Sequence, residues 1–175
     1  PTLLMPGLLM AAAAGVGVLI LGESGVGKSE SALELILRGH RLVSDDTVTI
    51  RRVGSLLNGT GPEVSRYHME LRGLGIINIK DLYGVAAVRE RKDLDLVVKL
   101  DAWQENKEYD RLGLDETMYS IHGVELPFIE MPVGPGRNLS ILLEVAARHH
   151  LLKRRGYHAA RELAGRIHDA LGRKG

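Results

Sequence analysis

The chain has 175 residues, a formal charge of +1 and no cysteine. The length suits one domain with its own core, and the near-neutral balance gives no electrostatic case for nucleic acid. Without thiols, disulfides, thiolate zinc sites and cysteine nucleophiles are excluded, and a reducing cytoplasm fits. From Leu3 to Gly22 no charged residue occurs. Pro6-Gly7 and Gly15-Val16-Gly17 nevertheless break any helix long enough to span a bilayer, so residues 1–14 read as an irregular apolar segment and no membrane is expected.

In chain order, Val18–Leu21 is a short apolar run, the pattern of a strand covered on both faces. Lys28–Arg38 reads as a helix with Ala32, Leu33, Leu35 and Ile36 inward, Glu34 and Arg38 as a supporting pair, and Gly39 as its C′ residue. A strand at Arg41–Ser44 ends in Asp45-Asp46, and Thr47–Val53 alternates as a second one. Leu57–Gly61 carries an Asn-Gly turn signal, and residues 74–79 and 94–100 are further strand candidates. Trp103–Arg111 is charged and reads as an exposed connection. Helices are expected over 138–155 and 157–171, so that 138–175 forms a helical pair. The seven histidines show no close metal spacing, and His149-His150 read as interface or surface residues.

Gly22-Glu23-Ser24-Gly25-Val26-Gly27-Lys28-Ser29 matches G-x-x-x-x-G-K-[ST] at every fixed position. The glycines let backbone N–H groups converge on phosphate oxygens, and the helix that follows adds its positive dipole end. Lys28 supplies a point charge for the β- and γ-phosphates, and Ser29 offers a hydroxyl to Mg²⁺. The motif follows an apolar strand and opens a helix, the context that separates a phosphate loop from a chance glycine-rich turn. By itself it names no substrate.

Three other patches bear on the chemistry. A carboxylate of Asp45-Asp46 could hold Mg²⁺ or accept a proton from an attacking hydroxyl, or could simply close a turn. Glu70-Leu71-Arg72-Gly73-Leu74-Gly75 is an unusual patch, with charged residues flanking two glycines just before an apolar strand, and its plainest reading is a hairpin with solvated charges. Pro132-Val133-Gly134-Pro135-Gly136-Arg137-Asn138 is a stiff loop feeding a helix start, able to present Arg137 to an anion or merely to end a strand.

In their order and spacing, Gly22–Ser29, Arg38–Asp46, Met69–Asn78, Lys107–Gly113 and Pro132–Asn138 resemble the catalytic domain of bacterial HPr kinase/phosphorylase, from roughly Gly15 to the C-terminus. The resemblance implies an α/β P-loop-containing domain with a central mixed sheet and C-terminal helices, a phosphoenolpyruvate-carboxykinase-like variant of the P-loop fold. It implies ATP-dependent phosphorylation of a serine of the phosphocarrier HPr in control of carbon metabolism, and reversal by phosphorolysis, in which phosphate releases pyrophosphate. Asp46 would be the general base, and the general acid in reverse, with Lys28 beside it. Ser29 and Glu70 would bind Mg²⁺. The stretch Met69, Glu70, Leu71, Arg72, Gly73, Leu74, Gly75, Ile76, Ile77 and Asn78 would serve both directions, and Arg111 would lie on the transferring phosphoryl group. Pro132, Val133, Gly134, Pro135, Gly136 and Arg137 would matter most for dephosphorylation. Hexameric assembly, and C-terminal helices that help receive HPr, are implied as well.

Two positions depart from the family pattern. Met5-Pro6-Gly7 stands where members carry Met-His-Gly, and Gly134 replaces the first arginine of Pro-Val-Arg-Pro-Gly-Arg. These departures keep open a nucleotide-binding regulatory module with impaired catalysis; a small-metabolite P-loop kinase is the other alternative. The chain begins at about the point where the family's catalytic domain starts, so the usual N-terminal domain is expected to be absent.

Overall fold

The computed structural model describes residues 2–109, 116–156 and 159–173. Its centre is a six-stranded mixed sheet of β2 (Leu9–Ala13), β3 (Val16–Leu21), β4 (Arg41–Ser44), β10 (Leu96–Ala102), β11 (Thr117–Ile121) and β12 (Val124–Val133), in the order β11-β12-β10-β3-β2-β4. β3, β10 and β12 run parallel, whereas β2, β4 and β11 pair antiparallel. One face is covered by α1 (Lys28–Leu37) and α3 (Leu139–Arg154), the other by a four-stranded sheet of β1 (Thr2–Pro6), β5 (Thr47–Val53), β6 (Leu56–Thr60) and β9 (Arg91–Asp93).

Period-two alternation along β3 assigns its side chains to two cores. Val16, Val18 and Ile20 face the helices with Ala32, Leu35, Leu143 and Ala147, while Leu19 and Leu21 face the second sheet with Val48, Ile50 and Leu57. Between Val16 and Val18 the second-sheet side must be empty: a Cβ on Gly17 would fall 1.8 Å from the carbonyl oxygen of Asp93. Each fully buried leucine or isoleucine here contributes about 1.5–3 kcal/mol of transfer free energy.

The N-terminal segment is not irregular as expected. β1 pairs with β5, and β2 is wholly buried and paired with β3 through the two-residue turn Ala14-Gly15, whose φ angles of 51° and 77° give the primed geometry of tight hairpins. A strand buried on both faces reads as a continuous apolar run, which hides its period. Nor does Asn58-Gly59 turn. It lies inside β6, where a Cβ on Gly59 would meet the Met10 sulfur at 2.3 Å, and the reversal falls at Gly54, φ 62°. Glu34 and Arg38 do not pair with each other; both reach α3 instead. His150 is buried rather than superficial. The last helix, α4 (Ala159–Gly172), carries no buried residue among those described. No helix among the described residues is long and apolar enough to cross a membrane.

Candidate active site

The described candidate residues gather at the C-terminal edge of the parallel strands, where open α/β sheets place ligands. β3 runs directly into the phosphate loop. Its glycines take conformations denied to other residues: Gly25 has φ 86° and Gly27 φ 109°. Gly27 is the N-cap of α1 and supplies no side-chain cap, so the first N–H groups of the helix stay available to an anion. Lys28 folds back over the loop and donates to the carbonyl oxygens of Gly22 and Glu23, the latter at 3.1 Å.

Asp45 is the carboxylate that reaches the loop. Ser29 Oγ lies 3.1 Å from each of its oxygens, and the amide of Glu70 points at Oδ2 from 3.4 Å. Burial pushes the Asp45 carboxyl above its ordinary value, and the bonds from Ser29 and Glu70 offset only part of that. Asp46, next in chain, is exposed and held at φ 72°, a left-handed conformation that aspartate tolerates better than most residues. Its carbonyl accepts from the amide of Leu8 at 3.1 Å, which fixes the backbone beneath the exposed carboxylate.

Met69–Asn78 forms the hairpin of β7 (His68–Leu71) and β8 (Gly75–Asn78). Alternation buries Met69 and Leu71 against the helix-side core and turns Glu70 outward beside Asp45. Arg72 leans over the phosphate loop: a Cβ on Gly25 would lie 2.6 Å from its guanidinium. Leu74 and Ile76 are exposed at the hairpin tip, and Asn78 caps the short helix α2 (Ile79–Tyr83) through the amide of Asp81.

The loop at Pro132–Arg137 joins β12 to α3. Gly136, at φ 78°, makes the turn that bonds Arg137 N to Gly134 O at 3.3 Å. Gly134 itself has room, since its Cβ would meet only Trp103 Cβ, at 4.0 Å. A cleft of about 390 Å³ separates Gly27, Glu30 and Glu34 on one wall from Gly136, Arg137 and Ser140 on the other. Sequence reasoning passed over Asp101, at the end of β10, which pairs with Lys107 at 2.8 Å; Lys107 also binds Glu130. Those two bonds, Asp101 first, hold the Lys107 ammonium above its ordinary value and tie the Trp103–Tyr109 connection to the sheet edge. The apolar run of β10 ending in an acid was the available signal. Arg111 lies outside the described residues.

The donor set suits a hard cation carried with phosphates. Ser29, Asp45 and Glu70 offer only oxygens, and Mg²⁺ is usually held by one or two carboxylates plus substrate phosphates. Among the described residues, no three acidic, histidine or cysteine side chains group as metal ligands.

A strand-to-helix phosphate loop on a parallel sheet edge, with its serine bonded to an acid at the end of β4, defines a P-loop α/β domain. The model of the HPr Serine kinase C-terminal domain matches residues 2–167, and the chain belongs to that family. It is 58% identical over 149 residues to the HPr kinase/phosphorylase of Geobacter sulfurreducens, covering 85% of this chain and 47% of the relative. Against the HPr kinase/phosphorylase of Treponema pallidum it is 56% identical over 164 residues, covering 93% and 51%. The chain thus spans about half the length of the curated relatives it matches. The solved structure of the Hpr(Ser) kinase/phosphatase from Coxiella burnetii superposes with a TM-score of 0.79 at 33% identity, over 87% of this chain and 99% of that one. The mixed sheet with C-terminal helices is therefore the family's fold.

Proposed function

We propose that this domain transfers the γ-phosphoryl group of ATP to a serine hydroxyl of HPr and reverses the reaction by phosphorolysis. The observation that carries the reading is the convergence on one loop of Lys28, the Ser29–Asp45 pair, Glu70 and Arg72. The loop amides, the α1 N-terminus and Lys28 bind the nucleotide's phosphates and hold the transferring group in place. Asp46, exposed on a fixed backbone, takes the proton of the serine hydroxyl as its oxygen attacks phosphorus and ADP leaves. In reverse, an oxygen of hydrogen phosphate attacks the phosphoserine phosphorus. The bond to serine breaks, Asp46 returns a proton to the serine oxygen, and pyrophosphate departs; the proton given up by hydrogen phosphate restores the balance. Ser29 and Glu70, with Asp45, would hold Mg²⁺, which neutralises phosphate charge during transfer. Arg111 adds positive charge around the moving group in both directions, and Arg137 adds it on the phosphoserine side in dephosphorylation. On α4, Leu163, Ile167 and Leu171 form an exposed apolar line, which supports assembly of several copies and a place to receive HPr.

Substituting Asp46→Asn should abolish transfer to HPr in a labelled-ATP assay and leave nucleotide affinity nearly unchanged, because the loop rather than this carboxylate holds the phosphates. A large loss of ATP affinity would make Asp46 a metal or structural residue. No label on HPr from the unaltered protein, with nucleotide binding intact, would sink the reading and leave a small-metabolite kinase or a regulatory module.

A further inference from the structure

Helices α1 and α3 are joined by two polar rungs. Ser140 Oγ donates to Glu34 Oε2 at 2.6 Å, and Arg38 Nε donates to Glu144 Oε2, also at 2.6 Å. The partners lie four residues apart on each helix and the numbers rise together, so the helices run parallel. Parallel helices bring both positive N-terminal ends to one mouth, here the cleft between Gly27 and Arg137. Ser140 is 1% exposed. Its single proton faces two acceptors, because Asn138 Oδ1 lies 2.7 Å away. Asn138 Oδ1 already accepts from the amide of Ile141 at 3.2 Å, and a bond to a carboxylate is the stronger, so the proton is committed to Glu34. The second rung is more open: the Glu144 side chain is 12% exposed but that of Arg38 is 46% exposed, and Arg38 holds the Glu144 carboxyl below the usual carboxylate range.

We propose that the Glu34–Ser140 rung is a positioning device for the reverse direction, setting the distance between Arg137 and the phosphate loop so that a phosphoserine can enter the cleft. This rests on the proposed function. In the forward direction the group that enters is a neutral hydroxyl. In reverse it is a phosphoserine with a charge of about −1.5 to −2, and it must pass Glu30 and Glu34. Arg137 is exposed at the mouth and is the cation on the α3 side of that path. Its backbone is fixed by the turn to Gly134 and by the start of α3, and the start of α3 is fixed to α1 by Ser140. A loose rung lets Arg137 drift without touching the loop that binds nucleotide.

The test uses Ser140→Ala, Glu34→Ala and Glu34→Gln in the intact protein. The first two should lower kcat/KM for phosphorolysis of phosphoserine-HPr by about tenfold or more, through a raised KM, and keep HPr phosphorylation within about twofold. Combined, they should be non-additive, as expected for the two halves of one bond. Glu34→Gln keeps an acceptor for Ser140 and should retain the reverse rate. Glu34→Ala is the discriminating variant: it removes a negative charge from the cleft, so electrostatics alone predicts faster phosphorolysis and positioning predicts slower. Binding of phosphoserine-HPr against HPr, measured by calorimetry, should lose its preference in Ser140→Ala. Equal losses in both directions, a matching drop in melting temperature alone, or no change in either direction would overturn the rung's role. An unaltered protein that phosphorylates no HPr and binds neither form would instead bring down the proposed function, and this inference with it.

Discussion

The two strand–loop–helix passages at the sheet edge, β3 into α1 and β12 into α3, have the same plan and opposite chemistry. The first ends on glycines in left-handed conformations and leaves the amides of α1 uncapped by any side chain. The second is stiffened by Pro132 and Pro135 and capped by its own Asn138 side chain, which accepts from Ile141 N. An uncapped helix start offers all its free amides to a ligand; a self-capped one has spent an amide on its own cap and here displays a side chain, Arg137, at the same edge. The comparison teaches that two helix starts at one sheet edge differ in how many amides they leave for an anion, and the missing side-chain cap favours α1.

Three experiments test that contrast. The largest effect belongs to Lys28→Met, which removes the point charge from the uncapped loop. HPr phosphorylation should fall by a factor on the order of 10² to 10³, measured as kcat, with the fold intact by circular dichroism. A loss below about tenfold would mean that the loop amides alone carry the phosphates. A middle effect is expected for Asn138→Ala. Uncapping α3 should cost about 0.5–2 kcal/mol of stability, read from denaturant midpoints at constant slope, with ATP affinity unaltered. Stronger anion binding at the newly freed amides would show that the cap alone distinguishes the two passages.

The smallest effect concerns the far end of α3, where burial holds the His150 imidazole below the ordinary histidine value, with Asp95 opposing and Arg154 and Lys153 adding to the shift. A histidine depressed in the folded state binds fewer protons there than when unfolded. Its contribution to stability is therefore complete above about pH 6.5 and is lost as the pH falls through and below that value. Melting temperatures between pH 7.5 and 5.5 should drop more steeply for the unaltered protein than for His150→Gln. Parallel slopes would remove His150 from the acid response.

Much of the site was legible before any coordinates. The phosphate loop declared itself through Gly22, Gly27, Lys28 and Ser29, and Asp45-Asp46 through its place at a strand end. Both are local: a tight turn demands glycine, and an acid that ends an apolar strand stands out. Which of the two aspartates meets Ser29 was not legible, because it depends on how β4 enters the sheet and on Asp46 adopting φ 72°. The Glu34–Arg38 pair shows the same limit. Four-residue spacing made them natural partners on an isolated helix, yet Ser140 and Glu144 of α3 take their bonds in the folded chain.

By itself, then, the sequence determined the phosphate loop, its buried strand, the helix that follows and the family's motif order, because each depends on residues close together in the chain. Only the tertiary structure decided that Thr2–Pro6 and Leu9–Ala13 are strands, that Gly17 and Gly59 let two sheets touch, and that α1 and α3 lie parallel. Those features arise from contacts between distant segments, with the partners of each rung 106 positions apart in the chain. No local pattern can encode a neighbour that far along the chain; packing has to supply it.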